Sequence, residues 1–193
     1  MNIEDLVKKA DSFNREEIKK YNSDIECLYD LSVEKGIMLA QKYNADINVV
    51  KIALALMDSK LPEATFLKNP SAHKDMAVEA TKNFLKDADA LTKNQKENII
   101  KCVEEHHGAE KFHSIESEVV CNADCYKFLY PEGVFSYLSI LARRLNDFPK
   151  ELAQLEKKMN EKYMLISLPS VKEELESYYK KYSELLSVAK KDE

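Results

Sequence analysis

The chain contains few of the residues that interrupt regular structure. Its 193 residues include only three glycines and five prolines. Because these two residue types mark most tight turns and helix ends, their scarcity favours long helices joined by short loops. No segment shows the alternation of apolar and polar residues that predicts a strand. The sequence therefore predicts an all-α, single-domain bundle of six or more helices.

Other scarcities exclude whole classes of function. The chain has only three arginines and a net charge of −5, which argues against the basic face that nucleic-acid binding needs. No apolar run approaches the ~20 residues that cross a bilayer. The first residues lack the form of a signal peptide, so the four cysteines are interpreted as reduced thiols. We expect a cytoplasmic protein that binds neither membranes nor nucleic acid.

Helix boundaries follow from apolar spacing and from capping residues. Helices are predicted over 4–21, 24–43, 46–57, 71–85, 92–107, 114–130, 135–145, 150–164 and 170–189. Asp46, Ser71, Thr92 (with Gln95) and Ser114 or Ser117 are the predicted N-caps. Residues 62–70 are predicted as a loop, and Pro131-Glu132-Gly133 as a helix break. We divide the chain into an N-terminal helix (1–22), a main helical unit (23–148) and C-terminal helices on the same bundle (149–193).

Histidine is scarce as well, and its placement is the main functional signal. The four histidines and the two acids that end or interrupt apolar stretches are His73, His106, His107, His113, Asp58 and Asp124. Histidine is the commonest metal ligand, and an ionised aspartate within apolar surroundings needs a partner or a metal. Two imidazoles with one or two carboxylates suit Fe, Mn, Zn or Ni better than Mg or Ca.

Each of these residues also has a structural interpretation. Asp58 can simply end its helix, and His73 can lie on the surface near the start of the next one. His106 and His107 lie at a predicted helix C-terminus, where a cationic imidazole interacts favourably with the helix dipole. We prefer that interpretation for His107, and we expect His113 to be a solvated loop residue.

The order of these pieces resembles the HD-domain superfamily of metal-dependent phosphohydrolases over roughly residues 24–145. Residues 46–58 are similar to the segment that ends in the family's His-Asp doublet, and His73-x-x-x-Ala77 to the helix that follows it. The segment Ile99-x-x-Cys102-Val103-x-x-His106 looks like a later histidine motif, and Asn122-Ala123-Asp124 like the last metal-binding aspartate.

Two positions depart from the family pattern. Met57 stands where the doublet has histidine, and Leu28 where the family's first histidine is expected. The resemblance therefore implies that the usual single-metal site is incomplete. In relatives with two metals, the second site matches Asp58, His73 and His106.

The resemblance implies a phosphohydrolase that acts on a phosphate ester such as a nucleotide. A divalent ion (Mn, Fe, Ni, Co or Zn) would be held by Asp58, His73, His106 and Asp124, and it would lower the pKa of bound water and polarise a phosphoryl oxygen. Asp58 is the predicted catalytic residue. Lys60 is a predicted contact for the substrate phosphate, and His107 or His113 would protonate the leaving group.

Two alternatives remain open at this stage. The chain can be a catalytically degenerate HD-domain protein, with or without a metal, that serves as a ligand-binding or regulatory module; Met57 and Leu28 favour this alternative. It can also be a helical interaction protein in which these histidines and acids never meet.

Overall fold

The computed structural model describes residues 2–190, and these residues form ten α-helices and no strand. The helices are α1 (Ile3–Lys20), α2 (Glu26–Lys42), α3 (Ile47–Met57), α4 (Leu61–Phe66), α5 (His73–Leu85), α6 (Lys93–Glu105), α7 (Ile115–Leu129), α8 (Pro131–Leu145), α9 (Phe148–Leu165) and α10 (Pro169–Ala189). The prediction of an all-α bundle is confirmed.

Three predicted N-caps are confirmed by their hydrogen bonds. The Asp46 carboxylate accepts from the backbone N–H groups of Asn48 and Val49 at the start of α3. Thr92 and Gln95 form a reciprocal capping box on α6, and the Ser114 hydroxyl accepts from the first turn of α7. Each cap satisfies backbone donors that have no partner inside the helix, which is why these helix starts were visible in the sequence.

The predictions around proline were wrong in three places. Helix α4 occupies most of the expected loop, and α8 begins at Pro131 rather than at residue 135. Proline fits the first turn of a helix, because its fixed φ is already helical and its missing N–H would have no partner there. Ser71 does not cap α5. It lies in a 3-10 turn, Pro70–Ala72, that leads directly into His73.

Helices α3 and α7 form the centre of the bundle. In α3 every residue from Val49 to Met57 is buried except Lys51, and α7 buries all of residues 119–129. Helix α3 packs against α1, α2, α5, α6 and α7, while α7 also packs against α8, α9 and α10. Asp58 at the end of α3 and Asp124 in the middle of α7 are consequently held in the interior.

The two ends of the chain pack on this centre. Helix α1 lies against α3, and α9 and α10 lie against α7. Among residues 2–190, no helix has both the length and the apolar character that crossing a membrane requires.

Candidate metal centre

His73 and His106 are fixed in the same way by the chain just before them. The His73 Nδ1 lies 2.7 Å from the carbonyl oxygen of Pro70, and the His106 Nδ1 lies 2.7 Å from that of Val103. A carbonyl oxygen can only accept, so each Nδ1 carries the proton and each Nε2 keeps a free lone pair. A histidine whose second nitrogen is tied to the backbone is the usual arrangement of a metal ligand.

Asp58 joins these two nitrogens from the end of α3. Its Oδ1 lies 3.5 Å from the His73 Nε2 and 3.7 Å from the His106 Nε2. Two ligand atoms at about 2.1 Å from a tetrahedral ion lie about 3.4 Å from each other. The structure thus brings together three of the four predicted ligands at a separation that suits one ion.

The His106 ring provides the sharpest indication of a missing partner. It is completely buried, and within residues 2–190 its Nε2 has no hydrogen-bond partner. A buried polar atom without a partner is costly and rare in folded proteins. A divalent ion bound at this nitrogen would satisfy it, so the residues present fit a metal.

His107 belongs to the same cluster, although the sequence favoured a helix-end role for it over that of a proton donor at the site. Its ring centroid lies 4.0 Å from that of His106 and 5.1 Å from that of His73. The three histidines can each offer a nitrogen within 4.8 Å of the other two. Because α6 ends at Glu105 and the chain then turns, the consecutive side chains of His106 and His107 both reach the cluster. His113 is exposed, as expected.

Two buried lysines complete the cluster. The Lys127 ammonium lies 2.5 Å from the Asp58 Oδ2 and 2.7 Å from the Asp124 Oδ1. The Lys162 ammonium, from α9, lies 2.5 Å from the Asp124 Oδ2. Asp124, the fourth predicted metal ligand, therefore has an ammonium group on each oxygen. The partner that its apolar setting required is a pair of lysines.

Sequence reasoning missed both lysines for different reasons. Lys127 follows Asp124 by three residues on α7, a spacing that places two side chains on the same helix face, so this pair could have been noticed. Lys162 is far away in the chain and lies in a strongly charged segment. Nothing local indicated that it would be buried.

Two histidines of the cluster, His106 and His107, are held in the neutral form. Burial lowers the pKa of His106 to about 4, although the negative charges of Asp58 and Asp124 act in the opposite direction. Burial also lowers the pKa of His107 to about 3, with a smaller contribution from the neighbouring His106. Neutral imidazoles are the form in which histidine binds metals.

The acids and lysines of the cluster remain charged. Burial favours the protonated form of Asp58, but the charge of Lys127 outweighs it and holds the pKa of this carboxyl well below its usual range. The pKa of Asp124 is lowered in the same way by Lys127 and Lys162, and the pKa values of both lysines are raised. Two carboxylates and two ammonium groups leave the metal-free cluster close to neutral.

The structure gives Lys60, the predicted phosphate contact, two carboxylate partners. Its ammonium lies 2.8 Å from Glu17 and 2.9 Å from Glu63. A substrate phosphate would have to compete with both acids for this charge.

The positions of the two missing family histidines are part of the apolar packing. Met57 is fully buried in the main core, and Leu28 packs with Ile18, Ile25 and Ile140 in a second apolar cluster. No protein-family model, curated protein or solved structure matches the chain. The resemblance to the HD-domain superfamily therefore depends on the motif order alone and stays a prediction.

The cluster is nearly closed to solvent. The exposed side-chain fractions are 0% for His106, 10% for His73 and 14% for Asp58. Two surface cavities, of about 480 and 450 Å³, are lined by residues outside the cluster. A bare ion fits this setting more readily than a phosphate ester.

Proposed function

We propose that this chain is a catalytically degenerate HD-like module that binds one divalent transition-metal ion and serves a binding or regulatory role. The observation that carries the proposal is the buried His106 Nε2, which faces the Asp58 carboxylate without a hydrogen-bond partner within residues 2–190. His73 and His107 supply two further nitrogens. This nitrogen-rich set suits Zn, Co, Ni or Fe better than Mg or Ca.

Two features favour a binding role over hydrolysis. The Asp58 Oδ2 is neutralised by Lys127, which weakens this aspartate as a ligand or base. The low exposure of His106 and Asp58, 0% and 14% of their side chains, leaves little surface for a nucleotide to contact. A bound ion would instead tie together the ends of α3, α5 and α6, and its occupancy would change the stability of that region.

Metal analysis tests the proposal directly. Protein purified without chelator, or titrated with Zn, Co, Ni and Mn, is expected to hold about one equivalent. His106→Ala should weaken binding at least about 100-fold, since even the loss of an outer partner can cost that much. His113→Ala is the matched control, because His113 is exposed and lies outside the cluster. Substoichiometric metal that is unchanged by His106→Ala would overturn the proposal.

A second candidate function is a single-metal phosphohydrolase that acts on a phosphate ester such as a nucleotide. One observation favours it: His107 is only half-buried, so it is the member of the cluster best placed to contact a substrate, although its lowered pKa leaves it without the proton that a leaving group would need. A bound ion would supply charge stabilisation at a phosphoryl oxygen.

A phosphatase screen with Mn, Fe, Co, Ni and Mg separates the two candidates. The binding module is expected to be inert with every substrate. Activity that is abolished by Asp58→Asn and retained by His113→Ala would establish the hydrolase and displace the first proposal.

A further inference from the structure

One ammonium group is shared by two carboxylates that have little exposure to solvent. The Lys127 Nζ lies 2.5 Å from the Asp58 Oδ2 and 2.7 Å from the Asp124 Oδ1. The exposed side-chain fractions of the three residues are 6, 14 and 3% respectively. Two carboxylates can remain ionised in such a setting only if a cation lies between them.

The distances around this ammonium resemble those around a metal ion. Calcium binds carboxylate oxygens at about 2.3–2.6 Å, close to the two Nζ–O distances. We propose that Lys127 is the resident cation of a two-carboxylate cation site, its ammonium group occupying the position that a hard divalent ion would otherwise take. The native chain then holds at most one divalent ion in the cluster, at the histidines, because the second cation position is filled by its own side chain.

Other contacts position both residues without Lys127. Lys162 forms an ion pair with the second oxygen of Asp124, and the backbone of Asp58 ends α3 as its C-cap. Lys127 itself lies on α7, three residues after Asp124, so exchanging its side chain leaves both carboxylates on their own helices. The inference goes beyond the proposed function and does not require a metal at the histidines.

The substitution Lys127→Met removes the charge while it keeps a flexible side chain of similar length. In chelator, the variant is expected to unfold at a lower temperature than the native chain, because two buried carboxylates lose their shared cation. Adding Ca²⁺ should raise its Tm by about 5–10 °C when free Ca²⁺ reaches about 100 times Kd. Calorimetric titration should show one bound Ca²⁺, and the Tm of the native chain should not respond to Ca²⁺.

A buried lysine outside the cluster provides the matched control. Lys35 has a similarly small exposed fraction, 10%, but its carboxylate partner, Glu34, is 69% exposed and lies 3.5 Å away. Lys35→Met is therefore expected to lower the Tm without creating any response to Ca²⁺. The same Ca²⁺ response in both variants would overturn the proposal.

A triple variant that removes all three charges tests the proposal if Lys127→Met does not fold in chelator. Lys127→Met with Asp58→Asn and Asp124→Asn removes both the cation and the charges that need it, so it should fold and ignore Ca²⁺. If this triple variant folds while Lys127→Met stays unfolded even with Ca²⁺, the proposal is wrong. It is also wrong if Lys127→Met alone is as stable as the native chain in chelator.

The outcome is separable from that of the metal proposal. Calcium prefers oxygen ligands, while the histidine cluster offers nitrogen. Repeating the Ca²⁺ titration of Lys127→Met in a His106→Ala background should leave the response in place. If the Ca²⁺ response disappears when His106 is replaced, the Ca²⁺ binds at the histidines and the proposed role of Lys127 is refuted.

Discussion

At His106, one ring nitrogen donates to the Val103 carbonyl while the other lies buried without a partner within residues 2–190. Leaving such an atom unsatisfied costs about 1–3 kcal/mol. The nearest charged groups, Asp58 among them, are engaged with lysine. This unsatisfied nitrogen therefore lowers the stability of the metal-free fold, and a bound ion, as proposed, would restore what is lost.

The titration of His106 makes the metal-free protein sensitive to acid. Its pKa is about 4 in the folded chain and about 6.5 in an unfolded one. As the pH falls through this window, the unfolded state takes up the proton first, so the free energy of unfolding decreases. The contribution of His106 to the loss between pH ~6.5 and ~4 approaches about 3 kcal/mol. Urea unfolding in chelator over this range measures it.

His106→Gln should make this pH dependence shallower but not remove it, because the pKa of His107 is also lowered by burial and contributes over the same range, whereas His113→Gln, at an exposed position, should leave it unchanged. The titration of Asp58 and Asp124 does not interfere with this measurement. Their pKa values are lowered, so the stability that they contribute is present above their ordinary range near pH ~4 and is lost only below it. An equal slope in both glutamine variants would contradict the assignment to His106.

At the scale of the helices, the candidate metal ligands lie at helix ends. Asp58 follows α3, His73 begins α5 and His106 follows α6. Helix α8 must also begin very close to the last turn of α7, where Lys127 lies. Gly133 permits this approach: a Cβ there would lie 2.5 Å from the carbonyl oxygen of Lys127 and 2.7 Å from that of Tyr126.

Gly133→Ala is therefore expected to destabilise the bundle by about 1–3 kcal/mol, the usual cost of overpacking. The atoms in the way are backbone atoms, which cannot rotate aside as a side chain would. Chemical denaturation measures the effect. Glu132→Ala, one residue earlier and exposed, should change stability by less than about 0.5 kcal/mol. If Gly133→Ala is as stable as this control, the close packing of α7 and α8 is not rigid.

At the scale of the whole molecule, five helices or helix ends meet in one cluster, and the last contributor comes late in the chain. Lys162 on α9 pairs with Asp124, and α9 also buries Leu152, Leu155 and Met159 against the bundle. The C-terminal helices are thus required by the charge balance of the interior as well as by its packing.

Removing residues 148–193 is expected to abolish cooperative unfolding, because it uncovers the apolar side of α7 and leaves Asp124 with one cation fewer. Thermal unfolding followed by circular dichroism tests this, with a single transition expected for the full chain. The full-length variant Lys162→Met isolates the ion pair. It should still fold, with a loss of about 3–5 kcal/mol. A truncated chain that unfolds in one sharp transition would show that residues 1–147 are independent.

Much of the local structure was predictable because local interactions produce it. Asp46, Thr92 and Ser114 cap helices through groups two or three residues away, and such signals are visible in a short window. The start at Pro131 was misjudged, since proline both interrupts helices and begins them. Only the close packing of α8 against the last turn of α7, which Gly133 allows, shows that proline begins a helix here and does not interrupt one.

The amino-acid order alone was enough to indicate the helical class, and the order of motifs was enough to group Asp58, His73 and His106. The inclusion of His107 and the neutralisation of Asp58 and Asp124 by Lys127 and Lys162 depended on packing. The physical reason is the separation along the chain over which each interaction acts. Helix formation and capping act between near neighbours, whereas the partner of a buried charge is whichever side chain the folded bundle brings within about 3 Å of it.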